Sequence, residues 1–298
     1  MSGYSNIDAW RARGRQIDCL GQRLFFVDEG DPSLPAVLLV HGFPTAGWDW
    51  HALWPELSRH FRLIAPDMLG FGFSAKPRPH NYTMHEQADL LEELTRQLGL
   101  KRFHVLAHDY GDTVAQELLA RDNARGADRR CLSVALLNGG LFHGTHRPRF
   151  IQKLLLSPLG PVAVRLLGRA TLARNMNAIF GPQTPPTEHD IDAFWALIRH
   201  NDGQRIFHRL IRYMRERKTH AQRWLYALRD AHVPIQLING SFDPISGAHM
   251  VTRYRELVGD ANIVELPGIG HYPQIEAPEA VARHYLAFVK NLAPNNGA

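Results

Sequence analysis

The chain has 298 residues, 45% of them hydrophobic and 21% charged, with two cysteines and a net charge of +5. That apolar share excludes a disordered chain, two cysteines exclude a disulfide scaffold, and a chain this long closes a full core without staples. The apolar run Pro35 to Val40 is far too short to cross a bilayer, and the N-terminus lacks the apolar stretch of a secretory leader.

The expectation is therefore a soluble, cytoplasmic protein without a transmembrane segment, with Cys19 and Cys131 as free thiols. Arginine supplies 29 of the 34 basic residues, and Leu141 to Asp230 holds 15 Lys/Arg against 6 Asp/Glu. A basic segment thus sits inside a mildly acidic remainder.

In chain order, Gln16–Leu20 and Arg23–Val27 read as a hairpin around Gly21, and Ala36–Val40 as a strand buried on both faces. Gly47–His60 reads as helix, Arg62–Ala65 as strand, and Glu86–Leu98 as helix stopped by Gly99. Arg102–Ala107 is a second buried strand, followed by helix from Gly111 to Arg121 and strand Ser133–Leu137. Leu141 to Asp230 carries no convincing strand and reads as helices between Pro/Gly breaks. The alternation resumes at Ile235–Asn239, Ala248–Val258, Ile263–Leu266 and Pro278–Asn291. This pattern predicts one α/β domain with a mostly parallel sheet and helices on both faces. Its core spans 1–140 and 231–298, with a helical cap at 141–230.

The sequence Val105-Leu106-Ala107-His108-Asp109-Tyr110-Gly111-Asp112 puts Asp109 on a tight turn between a buried strand and a helix. Ligands bind at such carboxyl edges, and the helix start offers unpaired N–H groups and partial positive charge. Asp109 taken alone could equally be an N-cap. Upstream, Ala36–Val40 ends in His41-Gly42-Phe43-Pro44. The Phe43 and Tyr110 amides could form an oxyanion hole there. Downstream, Asp243 follows one strand in Gly240-Ser241-Phe242-Asp243-Pro244, and His271 follows the last strand. The order nucleophile Asp109, acid Asp243, base His271 is that of the α/β-hydrolases.

A carboxylate attacking an acyl carbon gives a reactive anhydride, whereas attack on an sp³ carbon gives a stable alkyl ester. Asp109 therefore points to epoxides or alkyl halides, a small-molecule chemistry needing neither metal nor cofactor. The chain resembles the branch of the α/β-hydrolase superfamily that holds epoxide hydrolases and haloalkane dehalogenases. The resemblance rests on H-G-F-P at 41–44, H-D-Y-G at 108–111, Asp243-Pro244 and His271. Within that branch it is similar to the mesoderm-specific transcript proteins. The matching stretches are Val114-Ala115-Gln116-Glu117-Leu118-Leu119, Thr145-His146-Arg147-Pro148, Asn201-Asp202-Gly203 and His271-Tyr272-Pro273-Gln274.

The resemblance implies halide donors in a dehalogenase, yet Tyr110 follows the nucleophile and Phe43 replaces an expected Asn. It implies two cap tyrosines in an epoxide hydrolase. Tyr213, 30 residues before Asp243, has the position of one, and Lys153–Ser157 lacks the other, leaving His143, His146 or Tyr226 as substitutes. His41, His108, His146, Arg147, Asn201 and Asp202 are further pocket candidates. Gln204–Lys218 reads as a basic amphipathic helix with Arg205, Arg209 and Arg212 in one stripe. Such a helix meets an anionic membrane surface or an anionic substrate, or lies solvated on the cap with its arginines covering neighbouring apolar surface. No nucleic-acid motif is present, and the oligomeric state is not legible.

Overall fold

The computed structural model describes residues 5–165 and 167–292; the extreme ends of the expected core segments lie outside the described residues. Eight strands form one sheet: β1 Arg15–Cys19, β2 Gln22–Glu29, β3 Ala36–Val40, β4 Arg62–Pro66, β5 Phe103–His108, β6 Cys131–Leu137, β7 Ile235–Gly240 and β8 Ile263–Leu266. Their order is β1-β2-β4-β3-β5-β6-β7-β8. The β1–β2 and β2–β4 pairs are antiparallel, and every pair from β4 to β8 is parallel.

The central strands β3, β5 and β7 are buried at every residue and largely apolar because both faces are covered. Alternate side chains divide between two cores. Leu38, Val40, Val105 and Ala107 pack on one face with Leu91, Leu94 and Val114. Val37, Leu39 and Leu106 pack on the other with Trp54, Val281 and Tyr285. Each fully buried leucine contributes roughly 1.5–3 kcal/mol.

Around the sheet run α1 Ile7–Arg13, α2 Trp54–Leu57, α3 Met84–Gln97 and α4 Tyr110–Ala124. Between β6 and β7 lie α5 Phe150–Leu156, α6 Gly160–Ala163, α7 Arg169–Asn177, α8 Glu188–Arg199, α9 Phe207–Leu210, α10 Tyr213–Thr219 and α11 Ala221–Arg229. After β7 come α12 Ala248–Leu257, α13 Pro273–Glu276 and α14 Pro278–Leu292. No described helix is long and apolar enough to cross a membrane.

Three local expectations are corrected. The helix read over Gly47–His60 is a 3₁₀ turn, Gly47–Trp50, then the single turn α2. Pro55 has no amide to continue the first turn, so α2 begins there. The N-terminal α1 was not expected; Asn6 caps it by accepting from the Asp8 and Ala9 amides at 2.9 Å. The basic helix over Gln204–Lys218 is a 3₁₀ segment followed by α9 and α10. Its arginines form no stripe: Arg205 pairs with Asp202, and Arg209 donates to the His80 carbonyl.

Candidate active site

The carboxyl ends of β3, β5, β7 and β8 meet at one edge of the sheet. Asp109 follows β5 with φ 48° and ψ −103°, a backbone region that disfavours a side chain. Gly111 permits the turn: a Cβ there would stand 2.2 Å from the Val40 carbonyl oxygen and 2.6 Å from that of His41. Phe43, just past β3, donates its amide to Asp109 Oδ2 at 3.2 Å. The Tyr110 amide opens α4, where no preceding turn supplies a carbonyl.

His271 closes the group. Its Nδ1 lies 2.7 Å from Asp243 Oδ2, and its Nε2 lies 4.0 Å from Asp109 Oδ2. All three side chains are buried. Burial disfavours the imidazolium, but the carboxylates of Asp243 and Asp109 outweigh it and raise His271 to about 9. Burial would raise Asp243; the His271 charge and hydrogen bonds from His271, Asn138 and Ile245 instead hold it low.

A cavity opens on this group. Asp109, His271, Phe43 and Pro44 form its floor, and Leu155, Leu167, Leu172, Met176, Ile179, Trp195, Ile198 and Phe207 form its walls. Arg149, Gln152, Thr171 and Asn175 supply its few polar groups. Such a lining suits a lipophilic small molecule approaching the carboxylate.

Residues 35–157 match a family described as alpha/beta hydrolase fold. The mesoderm-specific transcript protein of Mus musculus is 40% identical over 297 residues, covering 96% of this chain and 88% of that one. The chain belongs to the α/β-hydrolase family. Epoxide hydrolase A of Mycobacterium tuberculosis is 26% identical over 315 residues, covering 93% and 97% of the two chains. A haloalkane dehalogenase loop variant, DbeA-M1 from Bradyrhizobium elkanii, shares the fold with a TM-score of 0.80 over 94% and 96% of the chains, at 20% identity.

Other expected site residues of this α/β-hydrolase scatter. Tyr213 is wholly buried, its ring 4.9 Å from that of Tyr110 and 6.4 Å from that of Phe43, under the Arg217 guanidinium, and among the described residues no hydrogen-bond partner meets its hydroxyl. The substitutes Tyr226 and His143 are exposed. His41 is not a pocket residue: its Nδ1 meets the Gly42 carbonyl and its Nε2 accepts from the Met68 amide, tying two loops together. His108 bonds the His271 carbonyl at 2.7 Å from behind the site. Arg147 does not line that cavity; with Arg174 it lines an adjoining hollow that shares Arg149, Ile151, Thr171 and Asn175 with the cavity. Asn201 and Asp202 form a left-handed turn whose carbonyls accept from Arg78, away from the cavity.

Sequence reasoning missed several residues around the catalytic candidates. Asn138, just past β6, donates to Asp243 Oδ2 at 3.0 Å, and the Ser246 amide and hydroxyl do so at 3.1 and 2.8 Å. Glu276 accepts from the Gly270 and Tyr272 amides and so braces the His271 loop from both sides. Arg217, hidden in the basic run, is buried beside Asp109 and donates to its carbonyl at 3.3 Å and to Thr113 Oγ1 at 2.9 Å. Its Nη1 lies 3.4 Å from His146 Nδ1. Only Ser246 had a local signal, a hydroxyl three residues after an aspartate at a turn.

Proposed function

We propose that this protein is an epoxide hydrolase-like enzyme that works through a covalent ester on Asp109. The observation that carries the reading is an aspartate, rather than a serine, on the strained turn facing an Asp243-braced His271. Core segments 1–140 and 231–298 hold Asp109, Asp243 and His271, and 141–230 forms the cap, which supplies Tyr213, over an intracellular, lipophilic substrate. The likeness to epoxide hydrolase A supports the same chemistry.

Asp109 Oδ1, the oxygen not held by Phe43, attacks an epoxide carbon. The ring C–O bond breaks, and the new oxyanion takes the Tyr213 proton. The product is a hydroxyalkyl ester of Asp109. Esterification removes the Asp109 charge that helps keep His271 protonated, so the imidazolium gives its proton up to the Tyr213 phenolate, restoring the phenol and leaving a neutral imidazole to act as base. It deprotonates a water that attacks the Asp109 carbonyl carbon. Phe43 and Tyr110 amides stabilise the oxyanion, the ester C–O bond breaks, and the diol leaves with a proton. Asp243 orients the ring and stabilises its charge.

The test is mass spectrometry of His271→Gln after incubation with epoxides and haloalkanes. A stable adduct on the Asp109 peptide is expected, its mass naming the leaving-group class. Wild-type protein in H₂¹⁸O should carry ¹⁸O into Asp109 during a single turnover. Full turnover by His271→Gln, or label only in the product, would overturn the reading.

A peripheral membrane contact is favoured by a different part of the cap than the 204–218 run. Phe150, Leu159 and Val162 are exposed, and Arg149, Lys153 and Arg165 accompany them without ion pairs among the described residues. Apolar knobs among cations suit an anionic bilayer. Flotation with anionic vesicles, lost in Phe150→Asp and absent with neutral vesicles, is the expected result.

A further inference from the structure

Helix α10 serves two neighbourhoods from one stripe. Tyr213 and Arg217, one turn apart, are buried; the Arg217 guanidinium lies over the Tyr213 ring and reaches the Asp109 carbonyl. Glu216 and His220, also one turn apart, lie along the adjacent edge of that stripe and meet the start of α3. There Glu216 Oε2 accepts from the Met84 amide at 3.0 Å. The His220 ring lies 4.5 Å from that of His85. One ligand atom from each of His85, Glu216 and His220 lies within 4.8 Å of the other two. All three are partly buried, and Glu216 has no ion pair among the described residues. The nearby cations Arg121 and Arg223 are paired with Glu117.

We propose that His85, Glu216 and His220 form a binding site for a first-row divalent metal ion, with zinc as the probe, that pins the cap helix α10 to core helix α3. Two imidazoles and one carboxylate select such an ion over magnesium or calcium, which prefer all-oxygen shells. Three protein ligands leave one position for water. A tetrahedral zinc at about 2.0–2.1 Å from its ligands brings them to roughly 3.4 Å from one another, so closure asks for small side-chain rotations. The ligands come from two segments of distant sequence, so the ion binds the folded chain and stabilises it. The site is separate from the Asp109 group, and it fixes the helix that carries Tyr213.

The experiment loads chelator-treated full-length protein with zinc, desalts it and measures the retained metal by elemental mass spectrometry. One equivalent per chain is expected, with a raised melting temperature. His85→Ala/His220→Ala should lose both effects while keeping the wild-type circular dichroism of the metal-free protein. Glu216→Gln keeps an acceptor for the Met84 amide but removes the anionic ligand, so it should weaken retention without lowering metal-free stability. Cobalt loading should give the visible absorption of a four- or five-coordinate site in the wild type alone. No retained zinc, or one equivalent still held by the double variant, would overturn the proposal. Asp109→Asn should bind zinc like the wild type, so failure of the hydrolase reading and failure of this one are distinguishable.

Discussion

In the active site the carboxylates of Asp243 and Asp109 hold the buried His271 imidazole in its charged form. The unfolded His271 titrates near ~6.5, and the folded one is raised to about 9. The stability this supplies is therefore fully present below the unfolded value and is lost as pH rises through about 9. Melting curves between these limits should fall more steeply for the wild type than for His271→Gln. Asp109→Asn removes one of the two carboxylates, so NMR titration should find His271 deprotonating at lower pH. Tyr213→Phe removes the buried hydroxyl proposed as the ring-opening acid. It should slow ester formation by roughly 10²-fold in stopped-flow traces and leave ester hydrolysis unchanged.

Among elements, the joint between α4 and α11 centres on one carboxylate, with Gln116 and Asn123 of α4 adding bonds to the Trp224 and Ala227 carbonyls of α11. Glu117 on α4 accepts from Arg223 at 2.8 Å and from the Trp224 indole at 3.0 Å, both on α11, and from Arg121 at 2.9 Å. These bonds pull its carboxyl down to about 2 against the burial that would raise it. Glu117→Ala leaves the buried indole N–H without an acceptor and should cost about 2–3 kcal/mol in chemical denaturation. The sheet strands were legible because period-2 and wholly apolar runs have few alternatives. The pieces of 204–218 were not, because the left-handed pair Asn201 and Asp202 and the break before Tyr213 leave the apolar spacing nearly intact. Pattern reports which residues share a face; it does not report where the backbone turns.

For the whole molecule, the parallel order from β4 to β8 gathers four loops at one edge, so residues 43, 109, 243 and 271 meet although the chain separates them widely. That juxtaposition was legible, since each residue followed a recognisable strand. The bracing shell of Asn138, Ser246, Glu276 and Arg217 was not. Arg217 and Asn138 act on partners 108 and 105 positions away, so nothing local marks them, and of the others only Ser246 carried a local signal. His41, Asn201 and Asp202 drew attention as polar residues in motif stretches, but His41 bonds the backbone of two loops, and Asn201 and Asp202 offer only their own carbonyls to the Arg78 guanidinium.

The backbone angle of Asp109 also sets a conflict between durability and chemistry. At most positions alanine is the more stable replacement and glycine the less. At φ 48° the order should reverse. Asp109→Gly should out-melt Asp109→Ala by about 1 kcal/mol, because only glycine rests there without cost. A laboratory lineage selected for heat resistance alone would then be drawn toward glycine at 109 and away from activity. Persistence of the aspartate under such selection would have to come from catalytic demand.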